Sequence, residues 1–303
     1  MTDLRTITAL PVSPLPASTE MSPRQVMEKP ELLDLVPAGT RVYVTDLGNA
    51  PEDQIVSATR RLTDAGRIPV PHMAARRYPS LKAFERRITR LVEEGGARDV
   101  LAIAGEAEIG GPLTSSVALL ETGLFDKLGI RTIGVAGHPE GAPDIAPDVI
   151  RQFLARKHEL AAQSDAAFHI VTQFGFDPVR LNIWLDELAS WGNRFPVHAG
   201  IAGPAKMTTL LKYAAFAGVE NSLNFLKKRG GSVVSMLAGY DPETIVGPLE
   251  ARLQREPRTQ LAQVHVYPFG GIAKTSDWLS ERGSWTWSGT TSAAEQPSQE
   301  IAQ

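Results

Sequence analysis

Short apolar runs alternate with longer amphipathic segments along almost the whole chain. The apolar runs are nearly continuous, which is typical of strands that are covered on both faces of a sheet. They predict eight strands, at residues 14–20, 41–47, 68–75, 99–106, 131–140, 166–174, 195–203 and 263–271.

Helical periodicity fills the segments between these strands. In residues 80–96, the apolar side chains of Leu81, Phe84, Ile88 and Leu91 recur at spacings that place them on one helix face. Comparable patterns predict helices at residues 51–66, 114–129, 147–164 and 178–192, with additional helical segments between 203 and 263.

The repeated strand–helix order determines the predicted fold class. Eight such units in this length of chain predict an α/β fold, a single closed (β/α)8 TIM barrel with extra helices before the last strand. The alternative is an open doubly wound sheet. Against it, no strand is followed by Gly-x-Gly-x-x-Gly, and the chain lacks the phosphate-binding loop Gly-x-x-x-x-Gly-Lys-Ser/Thr.

Composition sets the expected bounds of the folded domain. The last residues are small and polar, and they cannot bury enough apolar surface to offset their chain entropy. We therefore expect an N-terminal arm at residues 1–13, the catalytic barrel at residues 14–286 and a disordered tail at residues 287–303.

Charge and cysteine content exclude several function classes. The formal net charge of −3 gives no basic field for nucleic acid, and the absence of cysteine excludes disulfides and thiol nucleophiles. No apolar run approaches the ~20 residues of a membrane span, and the N-terminus lacks a signal-peptide pattern. We expect a cytoplasmic protein that binds neither nucleic acid nor membranes; the sequence leaves a homo-oligomer open.

Ionisable and polar residues gather where the predicted strands end, which is where barrel enzymes carry their chemistry. In chain order these residues are Glu20, Asp46, His72, Glu106, Glu108, His138, Glu140, Gln173, Asp177 and Lys206. We interpret Asp46 and Asp177 as N-caps of the helices that follow them. Phe174 and Phe176 either form a wall for a flat ring or pack against a neighbouring helix.

Glu20 has the pattern of a general acid. It ends an apolar strand next to Met21, and burial of a carboxyl group disfavours its charged form, so that it keeps a proton to donate. No His-Glu-x-x-His pattern indicates a catalytic metal, and no Gly-x-Ser-x-Gly turn indicates a serine nucleophile. We therefore expect no metal site.

The order of the strand-end segments resembles the methylenetetrahydrofolate reductase family. STEMSPR (18–24) is similar to the family's SxEFFPP, VPHMAAR (70–76) to its PHLTC, and VAGHPEG (135–141) to its AAYPE. VTQFGFD (171–177) resembles ITQFFFD, and the preceding helix matches in order and spacing. The likeness covers residues 14 to 272 and is strongest from 131 to 218.

The resemblance implies reduction of 5,10-methylenetetrahydrofolate to 5-methyltetrahydrofolate, or the reverse reaction. Glu20 falls on the glutamate that protonates the folate side-chain nitrogen and opens its five-membered ring to an iminium ion. Gln173 falls on the glutamine that hydrogen-bonds the pterin, and Glu106 falls where the family has an aspartate near the pterin. His72 and Phe176 lie in segments that are expected to contact the folate.

Departures from the family pattern fall on the residues that hold its flavin. The family's LRGD segment is IAGE here, with Ala104 in place of the arginine, and His138 replaces the tyrosine of YPE. Lys157 does align with a lysine that contacts the flavin phosphates. The pattern therefore resembles a flavin-independent branch in which FAD is absent and NADH or NADPH enters the vacated pocket, near Ala104, His138, Glu140 and Lys157.

Without a flavin, nicotinamide and folate must be bound together for direct hydride transfer. The alternatives are a conventional FAD-dependent reductase, a folate-binding barrel without catalysis, and a methyltransferase on the same barrel. The sequence does not distinguish NADH from NADPH, because Arg24, Arg76 and Arg77 all lie near strand ends and each could bind a 2′-phosphate.

Overall fold

The computed structural model describes residues 13–105, 108, 110–142, 145–216 and 239–287. Within this part of the chain, eight parallel strands form a closed barrel in sequence order. They are β1 (Ala17–Met21), β2 (Arg41–Val44), β3 (Ile68–Ala74), β4 (Asp99–Ile103), β5 (Thr132–Gly137), β6 (Ala167–Thr172), β7 (Val197–Ala202) and β8 (Leu261–Tyr267).

Pairing of the first and last strands closes the barrel. Ala17, Ser18 and Thr19 of β1 lie opposite residues 264–266 of β8. The predicted (β/α)8 barrel is therefore confirmed, and the alternative of an open sheet is wrong.

Helices cover the outside of the barrel. They are α1 (Pro23–Glu28), α2 (Glu52–Asp64), α3 (Leu81–Glu93), α4 (Ser116–Leu120), α5 (Leu124–Lys127), α6 (Pro147–Ala161), α7 (Pro178–Ser190), α8 (Met207–Phe216), α9 (Glu243–Arg255) and α10 (Ile272–Glu281). The helices α8 and α9 both lie between β7 and β8, so the predicted extra helices before the last strand are confirmed.

The amphipathic pattern of α3 shows how the helices attach to the sheet. Phe84, Ile88 and Leu91 are fully buried, as their spacing predicts, whereas Leu81 stays exposed at the first turn. The Ser80 side chain caps the helix by accepting a hydrogen bond from the Ala83 backbone N–H. Burial of one large aliphatic or aromatic side chain stabilises the fold by about 1.5–3 kcal/mol.

The helix predicted over residues 114–129 is wrong, because the structure has two short helices there. Gly123 separates α4 from α5 with a φ of +67°, a left-handed backbone conformation that glycine adopts without a steric penalty. The Thr122 hydroxyl donates to the Leu119 carbonyl at 2.6 Å and so satisfies a carbonyl in the last turn of α4. A glycine preceded by Thr122 thus stops a helix whose apolar periodicity continues through it.

The two ends of the described chain pack together at the N-terminal end of β1. The Trp285 indole N–H donates to the Ala17 carbonyl at 2.9 Å, and the Ser284 hydroxyl donates to the Leu15 carbonyl at 2.6 Å. The bounds predicted for the arm and the tail stay predictions, because residues 1–12 and 288–303 lie outside the described residues. Among the described helices, none combines the length and apolar content needed to cross a membrane.

Candidate active site in the barrel

Glu20 lies near the C-terminal end of β1, opposite Tyr43 of β2 in the strand register. Side chains alternate between the two faces of a strand, so Glu20 and Ser18 share one face while Met21 faces the helices. The Glu20 side chain keeps 17% of its surface exposed. The predicted catalytic carboxyl group therefore lies inside the barrel, at the end where the strands terminate.

His265 of β8 lies between Glu20 and Ser18 and is almost completely buried. Its Nε2 is 3.8 Å from Glu20 Oε2, and its Nδ1 is 3.0 Å from the Ser18 hydroxyl oxygen. The ring also packs against Tyr43 and Tyr267, with centroid distances of 4.4 and 4.9 Å. These contacts hold the imidazole ring in place.

The barrel interior contains further polar side chains where such barrels normally hold aliphatic ones. The Tyr43 hydroxyl is 2.9 Å from His169 Nε2, and His169 stacks on His198 at 4.2 Å. Burial lowers the pKa of His169 to about 3 and that of His198 to about 2, so both rings are neutral at pH 7. Gly134 leaves room for the His169 ring, because a Cβ at Gly134 would lie 3.0 Å from His169 Nε2.

These interior residues were not predicted from the sequence. His169, His198 and His265 lie within β6, β7 and β8, whereas the predicted site residues were taken from strand ends. A signal was present, since five of the six histidines fall inside the segments predicted to be strands, these three among them. Because the period of a strand is two, only the register could show that they face the barrel interior and not the helices.

His72 of β3 is close enough to Glu20 to be influenced by its charge. Burial lowers the pKa of His72 to about 4, and the Glu20 carboxyl opposes that change. Its Nε2 is buried and makes no hydrogen bond within the described part of the chain. A buried polar atom without a partner is costly, so this neutral imidazole is suited to bind a polar group of a ligand.

Gln173 follows β6 and is held by the backbone around it. Its Oε1 accepts a hydrogen bond from the Phe174 N–H at 3.2 Å, and its amide nitrogen donates to no acceptor within the described residues. Gly200 of β7 allows the end of β6 to lie close to β7, because a Cβ at Gly200 would lie 2.2 Å from the Thr172 carbonyl oxygen. The segment's position at the barrel mouth thus depends on a glycine in the neighbouring strand.

The two phenylalanines after Gln173 are both buried. Phe176 has no exposed surface, and its ring packs edge-on against Phe174 and Tyr240, at 5.8 and 5.4 Å. Phe174 contacts Tyr267 at 5.2 Å. Both rings therefore pack among other aromatic side chains, of which Tyr267 belongs to β8 and Tyr240 precedes α9. The role predicted for Phe176 in folate binding stays a prediction.

A second cluster lies between the barrel wall and the helices α6 and α7. Lys157 is 8% exposed and has no ion pair with the described residues, and His138 lies in the same cavity, of about 50 Å³. Burial lowers the pKa of Lys157 to about 8, and burial together with Lys157 lowers the pKa of His138 to about 4. The cavity is otherwise lined mainly by apolar side chains, including Ile145, Phe153, Trp184 and Trp191.

The remaining residues predicted to contact folate or nicotinamide are spread over two loops. Ala104 follows β4, and its carbonyl accepts a hydrogen bond from the Arg76 N–H at 2.9 Å. Glu140 lies in the turn after His138 and is partly buried. Glu106 lies outside the described residues, so its predicted role near the pterin stays a prediction.

The three candidate arginines for a 2′-phosphate differ in their surroundings. Arg24 pairs with Glu28 at 2.8 Å on α1, and Arg76 Nε donates to the Thr114 carbonyl at 3.3 Å. Arg77 packs so closely over Gly48 that a Cβ at that glycine would overlap its guanidinium group. Its Nε is buried without a hydrogen-bond partner in the described chain.

The two predicted N-caps have different outcomes. Asp177 caps α7, since its side chain accepts hydrogen bonds from the Val179 and Arg180 N–H groups. Asp46 does not cap α2, which begins after Pro51. Its carboxylate instead accepts from the Gly48 N–H at 3.0 Å and pairs with Arg87 at 2.8 Å, because the loop after β2 is too long for a direct cap.

The described residues include no group of three or more His, Asp or Glu side chains that could hold a metal ion.

Comparison with known proteins gives a match over part of the chain. The chain is 30% identical over 144 residues to methylenetetrahydrofolate reductase 1 of Schizosaccharomyces pombe, a match that covers 44% of this chain and 23% of that protein. The chain therefore matches about a quarter of the length of this curated relative. No family model matches the sequence.

Solved structures that align with most of this chain include two dihydropteroate synthases. The enzyme from Thermus thermophilus aligns over 91% of this chain and 96% of its own, with 12% identity and a TM-score of 0.48. The enzyme from Burkholderia cenocepacia aligns over 89% of this chain and 90% of its own, with 15% identity and a TM-score of 0.43.

Proposed function

We propose that the protein reduces 5,10-methylenetetrahydrofolate to 5-methyltetrahydrofolate by direct hydride transfer from NADH or NADPH, with Glu20 as the general acid. The observation that carries the proposal is the place of Glu20, which lies inside the barrel at the strand ends with His265 Nε2 at 3.8 Å. The partial likeness to a methylenetetrahydrofolate reductase supports it.

The reaction needs one proton and one hydride at different atoms of the folate. Glu20 donates its proton to the side-chain nitrogen N10, the bond from N10 to the methylene carbon breaks, and an iminium ion forms at N5. NAD(P)H then delivers a hydride to that methylene carbon and leaves as NAD(P)+. General acid catalysis of this kind contributes about 10²- to 10⁴-fold to the rate.

Three residues, in β3 and directly after β6, are suited to form the pterin site. The Gln173 amide nitrogen donates to no acceptor within the described residues, and the His72 Nε2 is buried without a partner there. Phe176 is fully buried and packs against Phe174, so we propose that it supports the pterin site by holding the Phe174 ring in place. Glu106 completes this set as a prediction from the sequence.

The cavity beside Lys157 is suited to an anionic group of the nicotinamide nucleotide. A buried ammonium group without a counter-ion among the described residues is costly, and a phosphate oxygen would satisfy it. His138, Glu140 and Ala104 lie at the adjoining strand ends. We propose that the dinucleotide runs from this cavity to the barrel mouth, where its nicotinamide meets the folate.

The donor set at these strand ends fits FAD poorly. Where the family's segment has an arginine, the chain has Ala104, which offers only a backbone carbonyl that is already bonded to the Arg76 N–H. We therefore propose that the enzyme works without flavin, and that folate and nicotinamide bind together. Their reacting carbons must then approach to about 3–3.5 Å.

Steady-state kinetics of the purified protein test the proposal. We expect turnover of methylenetetrahydrofolate with NADH or NADPH without added FAD, and double-reciprocal lines that intersect, because both substrates occupy the site at once. The absorbance at about 450 nm should show no bound flavin. Parallel lines from a flavin-loaded protein would instead support a conventional FAD-dependent reductase, and folate binding without turnover would support a non-catalytic barrel.

A further inference from the structure

We propose that His265 is a positioning residue for Glu20: its Nε2–H binds Glu20 Oε2, directs the carboxyl proton on Oε1 toward the substrate and stabilises the carboxylate that remains. This inference rests on the proposed function, because it assigns a role within the proton-donation step. It concerns a residue of the barrel interior that the strand-end analysis did not identify.

The geometry around His265 leaves little freedom for its ring. The side chain is 2% exposed, and its ring packs against the rings of Tyr43 and Tyr267. Its Nδ1 is 3.0 Å from the Ser18 hydroxyl oxygen. The ring therefore presents Nε2 to Glu20 in a fixed direction.

The hydrogen bond between Ser18 and His265 determines the tautomer of the His265 ring. The Ser18 side chain is fully buried and makes no other hydrogen bond within the described part of the chain. A buried hydroxyl hydrogen needs an acceptor, and Nδ1 is the acceptor within reach. If Ser18 donates to Nδ1, the neutral imidazole carries its hydrogen on Nε2, which faces Glu20.

The distance from Nε2 to Glu20 Oε2 has a mechanistic consequence. At 3.8 Å it is longer than a hydrogen bond, so a side-chain movement of about 1 Å converts a loose contact into a direct one. A hydrogen bond to an ionised acceptor is roughly twice as strong as one between neutral groups. The contact therefore strengthens as Glu20 loses its proton. It stabilises the transition state of proton donation more than the bound substrate, and so it lowers the activation barrier.

Two substitutions of His265 separate this role from simple packing. His265→Gln keeps an amide N–H near the place of Nε2 and loses the partner of Ser18. His265→Asn keeps a partner for Ser18 near the place of Nδ1 and loses the donor to Glu20. Both remove the same aromatic contacts with Tyr43 and Tyr267, so a purely structural role affects them alike.

For the folate reaction, we expect His265→Asn to lower kcat about 10- to 100-fold with the KM for folate nearly unchanged. His265→Gln should recover most of that loss. In His265→Asn, the solvent deuterium isotope effect on kcat should rise and the isotope effect from 4-deuterated NAD(P)H should fall, because proton donation becomes the slower step. Equal losses in both variants with unchanged isotope effects would overturn the inference.

Two further measurements keep the inference testable apart from the proposed function. If wild-type protein does not turn over methylenetetrahydrofolate, the proposed function fails, whereas the ¹⁵N spectrum of histidine-labelled protein still reports the His265 tautomer. A hydrogen on Nδ1 would overturn the inference. If His265→Asn does not fold, Ser18→Ala replaces it, with an expected loss of about 3- to 10-fold in kcat; unchanged kcat in that variant would contradict the proposal.

Discussion

Replacing Glu20 by Gln is expected to lower kcat by about 10²- to 10⁴-fold while the protein still binds folate. The two side chains have nearly the same shape, so the amide fits beside His265, but it has no acidic proton to give to N10. The affinity for folate should change by no more than a factor of about three, since the pterin contacts at Gln173 and His72 remain. Stopped-flow turnover and equilibrium folate binding measure the two quantities separately.

A matched control uses a carboxylate far from the barrel interior. Glu93→Gln changes an exposed residue at the end of α3 and should leave kcat and folate affinity at the wild-type values. Turnover in Glu20→Gln within about tenfold of wild type would show that another group supplies the proton. Loss of folate binding together with stability would instead indicate a structural role for Glu20.

Replacing Lys157 by Met is expected to stabilise the fold and weaken nicotinamide binding. Burial lowers the pKa of this lysine from 10.5 to about 8, which means that the folded protein bears a desolvation cost for the ammonium group at pH 7. A methionine of similar length fills the same apolar cavity without that cost. We expect the free energy of unfolding to rise by about 1–3 kcal/mol at pH 7.

The pH dependence of this stability difference has a definite sign. Between about pH 8 and 10.5, the unfolded chain binds more protons at Lys157 than the folded protein does, so wild-type stability rises with pH through this window. Lys157→Met lacks that contribution. Its stability advantage over wild type should therefore be full below pH 8 and shrink as the pH approaches 10.5, as measured by urea unfolding.

The same substitution tests the nucleotide site. Loss of a charge-assisted hydrogen bond costs about 1.5–3 kcal/mol, so the KM for NAD(P)H should rise roughly 10- to 100-fold while folate affinity stays constant. Lys82→Met, at an exposed position of α3, serves as the control and should change neither quantity. A Lys157→Met protein with lower stability and an unchanged KM for NAD(P)H would show that the lysine only fills space.

Much of the fold could be predicted because it follows from local patterns. Apolar runs and helical spacing are properties of neighbouring residues, and they located all eight strands to within a few residues. The single helix at 114–129 was predicted wrongly because apolar periodicity does not report the left-handed turn at Gly123. Asp46 was misassigned for a related reason, since its partner Arg87 is distant in sequence.

The candidate site could be predicted only at the strand ends. Glu20, His72 and Gln173 could be selected as candidates by their positions, because the barrel fixes which end of each strand carries polar groups; their roles stay predictions. His265 was missed because its importance depends on closure of β8 against β1, which brings it next to Ser18 and Glu20. Burial of Lys157, which lies on α6, likewise depends on the packing of α6 against α7 and the barrel wall, which the sequence of α6 does not show.

The fate of the transferred hydrogen tests direct hydride transfer most directly. Protein freed of any flavin by dialysis is supplied with methylenetetrahydrofolate and NADH or NADPH carrying deuterium on the reactive face of C4, in ordinary water. The account predicts one deuterium in the product methyl group for each turnover. A product without deuterium would contradict direct transfer. In a second experiment, with unlabelled NADH or NADPH in D₂O, deuterium in the product methyl group would contradict it as well, because only a carrier that exchanges hydrogen with water could then have relayed the hydride.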